Sequence, residues 1–553
     1  MSGALEVVAT GAAAQAVTDW VPRLVEERFA GRLFAKDATL WGEAAQEEAS
    51  IRLGWVDLFH TSRPLVGAIT ALRSELEEEG ITRVALCGMG GSSLAPEVIC
   101  ATRGVELTVV DSSHPDQVRA ALGERLESTV VVVSSKSGST VETDSQRRAF
   151  EEAFRQAGLD PTRHMVIVTD PGSPLDKQSR DAGFRVINAD PNVGGRYSAL
   201  TAFGLVPSGL AGVDIATLLD EAEEVADLLS DDDDGNPALR LGAALAGTDP
   251  LRDKLVFVDE GSELVGFPDW AEQLVAESTG KDGTGLLPVV VGDSSAPEVA
   301  LPPQDATVVR LTSGDEAGTG DSEPANAGDD APPAEDGSDV WVGGSLGAQM
   351  LLWEAATAVA GRILGIDPFD QPDVESAKKA ARSLLEDTPS PEPALLTEGD
   401  VEVRVPGDAS WLGDGDAGDL AGAVTALLDQ VDDARGYVAV MAYLDREAHR
   451  DLEEVRNSLA VRTRRPVTFG WGPRFLHSTG QFHKGGPAVG VFVQVTDEPH
   501  EDLPVPGRGF SFATLVSAQA AGDAQVLAEH GRPVLRLHVT GPEGLRQLRE
   551  ALR

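Results

Sequence analysis

Five short runs rich in β-branched residues recur between residues 80 and 210: "RVALCG", "VELTVVD", "STVVVVSS", "RHMVIVTD" and "FRVINAD". Segments of helical character separate them, such as "SLAPEVICATRG" and "VETDSQRRAFEEAFRQAG". Strands that alternate with helices cannot be joined by hairpins. They must run parallel, with helices covering both faces of the sheet. This alternation constrains the chain more than any other feature. It resumes near Pro250 with "KLVFVDE", "GLLPVVVGD" and "ATVVRLTSG". The expected fold class is α/β, with two doubly wound parallel-sheet domains and flanking helices.

The boundaries follow from where the pattern changes. Residues 1–79 read as a helical segment, with "PLVGAITALRSELEEEG" ending at Gly80, a natural helix stop. Residues 80–210 form the first α/β domain, 211–249 a helical connector, and 250–553 the second α/β domain. Residues 313–339 interrupt that domain. They are acidic, rich in Gly, Ala and Pro, and lack aromatic residues until the flanking strand, so they read as a disordered insertion.

With 90 acidic and 45 basic residues the chain carries a formal charge of -45. Nucleic acid and anionic membranes are therefore poor partners, because both need a positive field. Cys87 and Cys100 are the only cysteines. They are too few for a disulfide framework and too far apart for a zinc knuckle, so a cytoplasmic setting and no metal are expected. The first residues lack the basic and apolar regions of a signal peptide.

Two loops carry chemistry. "VALCGMGGSSLAPEV" places Gly88, Gly90 and Gly91 between a strand and a helix start, with Ser92 and Ser93 following. Glycines, hydroxyls and free helix N–H groups suit an anion, most naturally phosphate. A dinucleotide is the second reading, because Asp111 ends the next strand where a ribose-binding acid would stand. Against it, the G-x-G-x-x-G pattern is broken at Ser93. A tight turn without ligand is the third. The second loop, "VVVVSSKSGSTVET", delivers Ser135, Lys136, Ser137, Gly138, Ser139 and Thr140 to the end of a valine strand. Ligands of parallel sheets bind beyond such strand ends, so both loops can converge on one anion. Lys136 either supplies charge or closes the loop. It is one of only eight lysines.

These loops resemble those of the phosphoglucose isomerase family. "VGGRYSALTAFGLVP" (193–207) is similar to the family's Gly-Gly-Arg-aromatic signature, "AEQLVAESTGK" (271–281) to its glutamate helix, and "IDPFDQPDVESAKK" (366–379) to its lysine signature. The late "GPRFLHSTGQFHKGG" (472–486) resembles the isomerase half of transaldolase–isomerase fusion proteins. Five of the eight lysines (Lys136, Lys281, Lys378, Lys379, Lys484) fall inside these motifs. Two departures stand out. Asp373 replaces a small residue, and the histidine motif follows the lysine motif rather than preceding it.

The resemblance implies reversible isomerisation of glucose 6-phosphate and fructose 6-phosphate through an enediol, in glycolysis and gluconeogenesis, with no cofactor. It implies Glu277 as the base and Arg196 as the cation over the enediolate. Lys378 and His477 are implied for ring opening, with His483 as the alternative histidine. Gly91, Ser92, the 135–140 loop and Gln273 are implied as substrate contacts. A homodimer is implied as well. The alternatives are a dual phosphoglucose/phosphomannose isomerase and a non-catalytic sugar-phosphate-binding module.

Overall fold

A computed structural model of the chain describes residues 5–123, 125–313, 337–373, 384–385, 393–413 and 418–553. Lys378 and all but the ends of the 313–339 insertion lie outside the described residues.

Among the described residues three sheets organise the chain, and the α/β class with parallel, doubly wound sheets describes it. The first sheet has the order Thr108–Val110, Arg83–Cys87, Thr129–Ser134, Met165–Thr169, Arg185–Asn188, all parallel. The valine strand at its centre explains the packing. Successive side chains of a strand point to opposite faces. Val130 and Val132 join one apolar cluster, while Val131 and Val133 join another. Both faces are therefore buried under helices, so the strand is apolar at every position. The chain runs outward from Arg83–Cys87 to Thr108–Val110, then returns to Thr129–Ser134 on the other side. The strand order reverses between Cys87 and Ser134, and a crevice opens there at the carboxyl ends.

The second sheet has the order Glu6–Thr10, Ser338–Gly343, Ala306–Thr312, Lys254–Asp259, Leu287–Val290. Its last four strands are parallel, and Glu6–Thr10 pairs antiparallel at the edge. The 1–79 segment is thus helical only after a first strand. That strand has five residues and pairs with a partner more than 300 residues away, so local periodicity carries no sign of it.

Residues 250–553, expected as one unit, carry two sheets. The third has the order Leu396–Glu398, Val401–Arg404, Val534–Val539, Gly490–Asp497, Tyr437–Tyr443, Val467–Trp471, with the last four strands parallel. It packs against the second sheet through one apolar cluster. Val256, Val258, Leu287 and Val289 meet Tyr437, Met441, Phe482 and Phe492 there. Buried ion pairs frame this seam. Lys254 Nζ donates to Asp253 Oδ1 at 2.7 Å and lies 3.0 Å from Asp305 Oδ2, which also accepts from Arg465 at 2.5 Å. Arg456 donates to Glu298 at 2.8 Å. Charges this deep are tolerable only when paired.

Helix Leu346–Leu364 runs through the main core and is buried nearly all round. Among its buried groups without a partner is one acid. Glu354 is 0% exposed, and neither carboxylate oxygen has a hydrogen-bond partner. Burial pushes its pKa well above the ordinary carboxylate value. An acid whose folded pKa is raised stabilises the fold at low pH and loses that contribution as pH rises through the unfolded value, about 4.3. Glu354→Met should therefore raise Tm at pH 7.5 by about 1–3 °C. The gap to wild type should widen between pH 5 and pH 8 in calorimetric scans. A variant that melts lower than wild type at pH 7.5 would show that the carboxyl is stabilising.

Candidate active site

The crevice of the first sheet is one wall of a cavity of about 750 Å³. The other walls come from the second and third sheets. At one end stand the hydroxyls of Ser92, Ser135, Ser137, Ser139 and Thr140. The 135–140 loop is held by its own polar groups. Ser135 Oγ accepts from the Gly138 N–H at 3.1 Å, and the Ser137 and Ser139 hydroxyls are 2.6 Å apart. Gly138 takes a positive φ of 75°, and a Cβ there would collide with Leu175. Helix Val141–Gln156 starts directly after Thr140, so its free N–H groups face the same end.

Of the two roles open to Lys136, the structure shows loop closure. Its ammonium donates to Asp170 Oδ2 at 2.8 Å and to the Pro191 carbonyl at 3.3 Å, while the residue still lines the cavity. Arg52, from the first helical segment, lines this end too and is bonded to Glu48. No motif marks it in the sequence. Asp111, the acid of the dinucleotide reading, is occupied otherwise. It is buried against Arg474 at 2.7 Å and Arg446 at 3.5 Å.

At the other end Glu277 sits on helix Phe267–Thr279, 7% exposed. Gln273, one turn earlier on the same face, donates to Glu277 Oε2 at 3.1 Å and to the His477 carbonyl at 2.7 Å. Its own carbonyl oxygen is buried without a partner. Arg196 follows two glycines on a short turn and is 3% exposed. Its Nη1 lies 4.0 Å from Glu277 Oε1 and donates to Gln371 at 2.8 Å. Nε donates to Ser278 at 2.8 Å, and Nη2 donates to the carbonyls of Pro368 and Asp370. The guanidinium is thus fixed in place before any ligand arrives. Lys281 is not a cavity residue. It donates to the Asp367 and Asp370 carbonyls and to the Asp370 carboxylate, closing the loop after the helix.

The third sheet supplies the histidine. His477 ends the turn Arg474–His477 and lines the cavity. Its Nε2 is 3.2 Å from Glu142 Oε1, which also accepts from Gln519 Nε2 at 2.6 Å. A carboxylate only accepts, so Nε2 carries the proton and Nδ1 is left as the free nitrogen. His483 does not reach the cavity. It is 2% exposed, stacked on Tyr437 and bonded to its hydroxyl at 3.0 Å. Burial, with Lys484 and Arg532 nearby, holds its pKa well below the ordinary histidine value. The correction has a simple cause. The short helix Gly480–Gly485 turns His483 toward the aromatic seam between the sheets.

Glu142, Gln371 and Gln519 also line the cavity and escape sequence reasoning, and Lys484, noted only as a motif lysine, lines it too. Glu142 stands in full view beside the hydroxyl loop, but its partners His477 and Gln519 are 335 and 377 residues away. Gln519 lies in a featureless helix. Gly91 and Gly138 were expected among the contacts. Gly91 lines the cavity, whereas Gly138 serves the loop turn alone. Asp373, the unusual residue of the lysine motif, has a local explanation. Gln481 Nε2 donates to its carboxylate at 2.6 Å, and its N–H donates back to Gln481 at 3.1 Å. Among the described residues no group of three or more acidic, histidine or cysteine side chains is placed to hold a metal ion.

The family model for phosphoglucose isomerase matches residues 74–233. A probable glucose-6-phosphate isomerase of Haloarcula marismortui is 29% identical over 350 residues, spanning 56% of this chain and 80% of that protein. The glucose-6-phosphate isomerase of Rippkaea orientalis is 30% identical over 358 residues, spanning 56% and 66%. Among solved structures, a hypothetical protein of Thermus thermophilus aligns with TM-score 0.56 and 25% identity, over 69% of this chain and 100% of that one. A glucose-6-phosphate isomerase of Chlamydia trachomatis shares the fold, with TM-score 0.52 and 19% identity, over 68% and 85%. Residues 74–233 thus match the phosphoglucose isomerase family, and the relatives that carry the match over more than half of the chain are named glucose-6-phosphate isomerases.

Proposed function

We propose that the chain interconverts glucose 6-phosphate and fructose 6-phosphate through an enediol, in glycolysis and gluconeogenesis. One observation carries the reading. A carboxylate and a guanidinium, Glu277 and Arg196, stand 4.0 Å apart in a cavity whose far end is lined by hydroxyls and a helix N-terminus. The hydroxyl end suits phosphate. The other end suits proton transfer between adjacent carbons.

In this reading Ser92 and the 135–140 loop bind the phosphate, with Arg52 and Lys136 adding positive field. Glu277 takes the proton from C2 of the aldose and returns it to C1. Arg196 balances the charge that develops on the enediolate oxygens, and being already fixed it needs no rearrangement. The free carbonyl oxygen of Gln273 accepts a sugar hydroxyl. His477 exchanges a proton with the ring during opening, and Glu142 fixes its tautomer. Lys378, which the family resemblance assigns to the same step, lies outside the described residues. The non-catalytic alternative gains nothing from a pre-positioned base and cation. The motif 472–486 supports a kinship with the isomerase half of transaldolase–isomerase fusions. A cytoplasmic homodimer completes the proposal, and sedimentation velocity would test its stoichiometry.

A coupled assay for glucose 6-phosphate formation from fructose 6-phosphate tests the reading directly. Wild type should turn over, and Glu277→Gln should lose on the order of 1,000-fold in kcat. Equal activity in the two proteins would remove Glu277 as the base. Absence of wild-type turnover, with sugar phosphate still bound, would favour the binding module.

The histidine pair gives a second prediction. Glu142→Gln should lower kcat by roughly 10–100-fold while KM changes little, because a misoriented general acid–base affects the chemical step. A rise in KM with kcat intact would assign Glu142 to binding instead.

A further inference from the structure

Lys484 has no part in the reading above. It lies on helix Gly480–Gly485 with its side chain 1% exposed, yet it lines the same cavity as Glu277 and Arg196. Its ammonium is 2.5 Å from Oδ1 of Asp523, a carboxylate with 0% exposure, and donates to the Gly480 carbonyl at 3.3 Å. An ion pair so completely buried is a poor source of stability, since apolar residues of like volume do as well or better. An ammonium has three protons to donate. Gly480 accepts one and Asp523 stands against the ammonium as an ion pair, which leaves capacity for a ligand in the cavity.

The helix Phe512–Glu529 locates this amine along the substrate. It presents Gln519 and Asp523 one turn apart on one face. Gln519 holds Glu142 against His477, and Asp523 holds Lys484. Phe512, at the start of the helix, packs into the core of the first sheet, whereas Ala520, Ala524 and Leu527 pack into the apolar seam between the second and third sheets. Passing from Gln519 to Asp523 therefore leads from the first sheet toward the seam that the second and third sheets share. The contacts around Lys484 agree. Gly283 N–H donates to the Gly485 carbonyl at 2.9 Å, and Gln481 donates to the Gly280 carbonyl at 2.9 Å. Both acceptor and donor belong to the turn that follows the Glu277 helix.

We infer that Lys484 is a catalytic residue of this cavity, donating a hydrogen bond to the oxygens on C1 and C2 while Glu277 moves the proton, with Asp523 as its positioning residue. The inference rests on the isomerase reading. In the step, the C–H electron pair becomes the C1–C2 double bond, the carbonyl π pair settles on oxygen, and the proton rides on Glu277. Lys484 forms no bond. It shares with Arg196 the stabilisation of the oxygen that gains charge.

The test uses the full chain with Lys484→Met, Lys484→Arg and the double variant Lys484→Met/Asp523→Asn, which leaves no unpaired buried charge. Turnover of fructose 6-phosphate is measured beside calorimetric affinity for two probes, inorganic phosphate and a phosphorylated five-carbon aldonic acid whose carboxylate mimics the enediolate. Lys484→Met should lose on the order of 100-fold in kcat/KM, mainly in kcat, as for removal of one oxyanion donor. Its affinity for the aldonate should fall more than about tenfold while inorganic phosphate binds as to wild type. The double variant should fold and stay as slow, and the arginine should recover part of the rate. A folded variant within about threefold of wild-type kcat/KM, or a double variant that regains the rate lost by Lys484→Met, overturns the assignment, with tenfold taken as about 1.4 kcal/mol. Turnover lost in Glu277→Gln but kept in Lys484→Met sinks the lysine alone. Absence of turnover in wild type sinks the isomerase reading itself.

Discussion

Three parts of this chain meet where no side chain fits. A Cβ at Gly91 would lie 1.9 Å from the Gly195 carbonyl oxygen. A Cβ at Gly90 would lie 2.7 Å from the Gln273 amide and 3.0 Å from His477. At Gly91 side-chain rotation cannot relieve the contact, because backbone faces backbone, and at Gly90 a φ of 56° adds the strain of a conformation that favours glycine. The glycine loop of the first sheet, the arginine turn and the histidine turn of the third sheet can therefore converge only as bare backbone. Everything functional depends on that approach. It sets Arg196 beside Glu277 and lets Gln273 bridge the base to the histidine segment.

The third sheet makes the convergence possible. It is joined to the second sheet by an apolar seam and the Lys254–Asp305–Arg465 cluster. It is joined to the first by Arg474 on Glu97 and Asp111, and by His114 on Asp497 at 3.0 Å. The seam supplies most of the affinity, since burial of apolar area is the dominant favourable term. The ion pairs fix orientation more than they add strength, because their attraction is offset by the cost of leaving water. The histidine, its carboxylate partner and the buried lysine thus come from elements locked by contacts on two fronts.

Much of this was legible in the letters, and the reasons for the remainder are physical. The strand Thr129–Ser134 announces itself because burial on both faces demands an apolar residue at every position. Glu277 and Gln273 are readable together because helical spacing alone puts them on one face. His477 and His483 were separable only in three dimensions, since both sit in one short motif and differ in which way one helical turn points. Lys136 was left between two roles because Asp170 and Pro191, its partners, end other strands. The strand Glu6–Thr10 and the third sheet were missed for the same cause. Pairing between distant strands leaves no local trace in periodicity. Asp373 looked like a departure from its motif until Gln481, 108 residues on, was found bonded to it.

The place of strand Val534–Val539 has a consequence for how the protein comes into being. It lies inside the third sheet, between Val401–Arg404 and Gly490–Asp497, with antiparallel bonds on one side and parallel bonds on the other. Until it is present, two flanking strands have open edges and the helix bearing Gln519 and Asp523 has no floor. During synthesis the first two sheets can form long before this. The histidine turn, by contrast, gains its final support only after residue 539 has left the ribosome. The reaction centre therefore depends on a strand that comes late in the sequence, whereas the 135–140 loop rests on strands that come early.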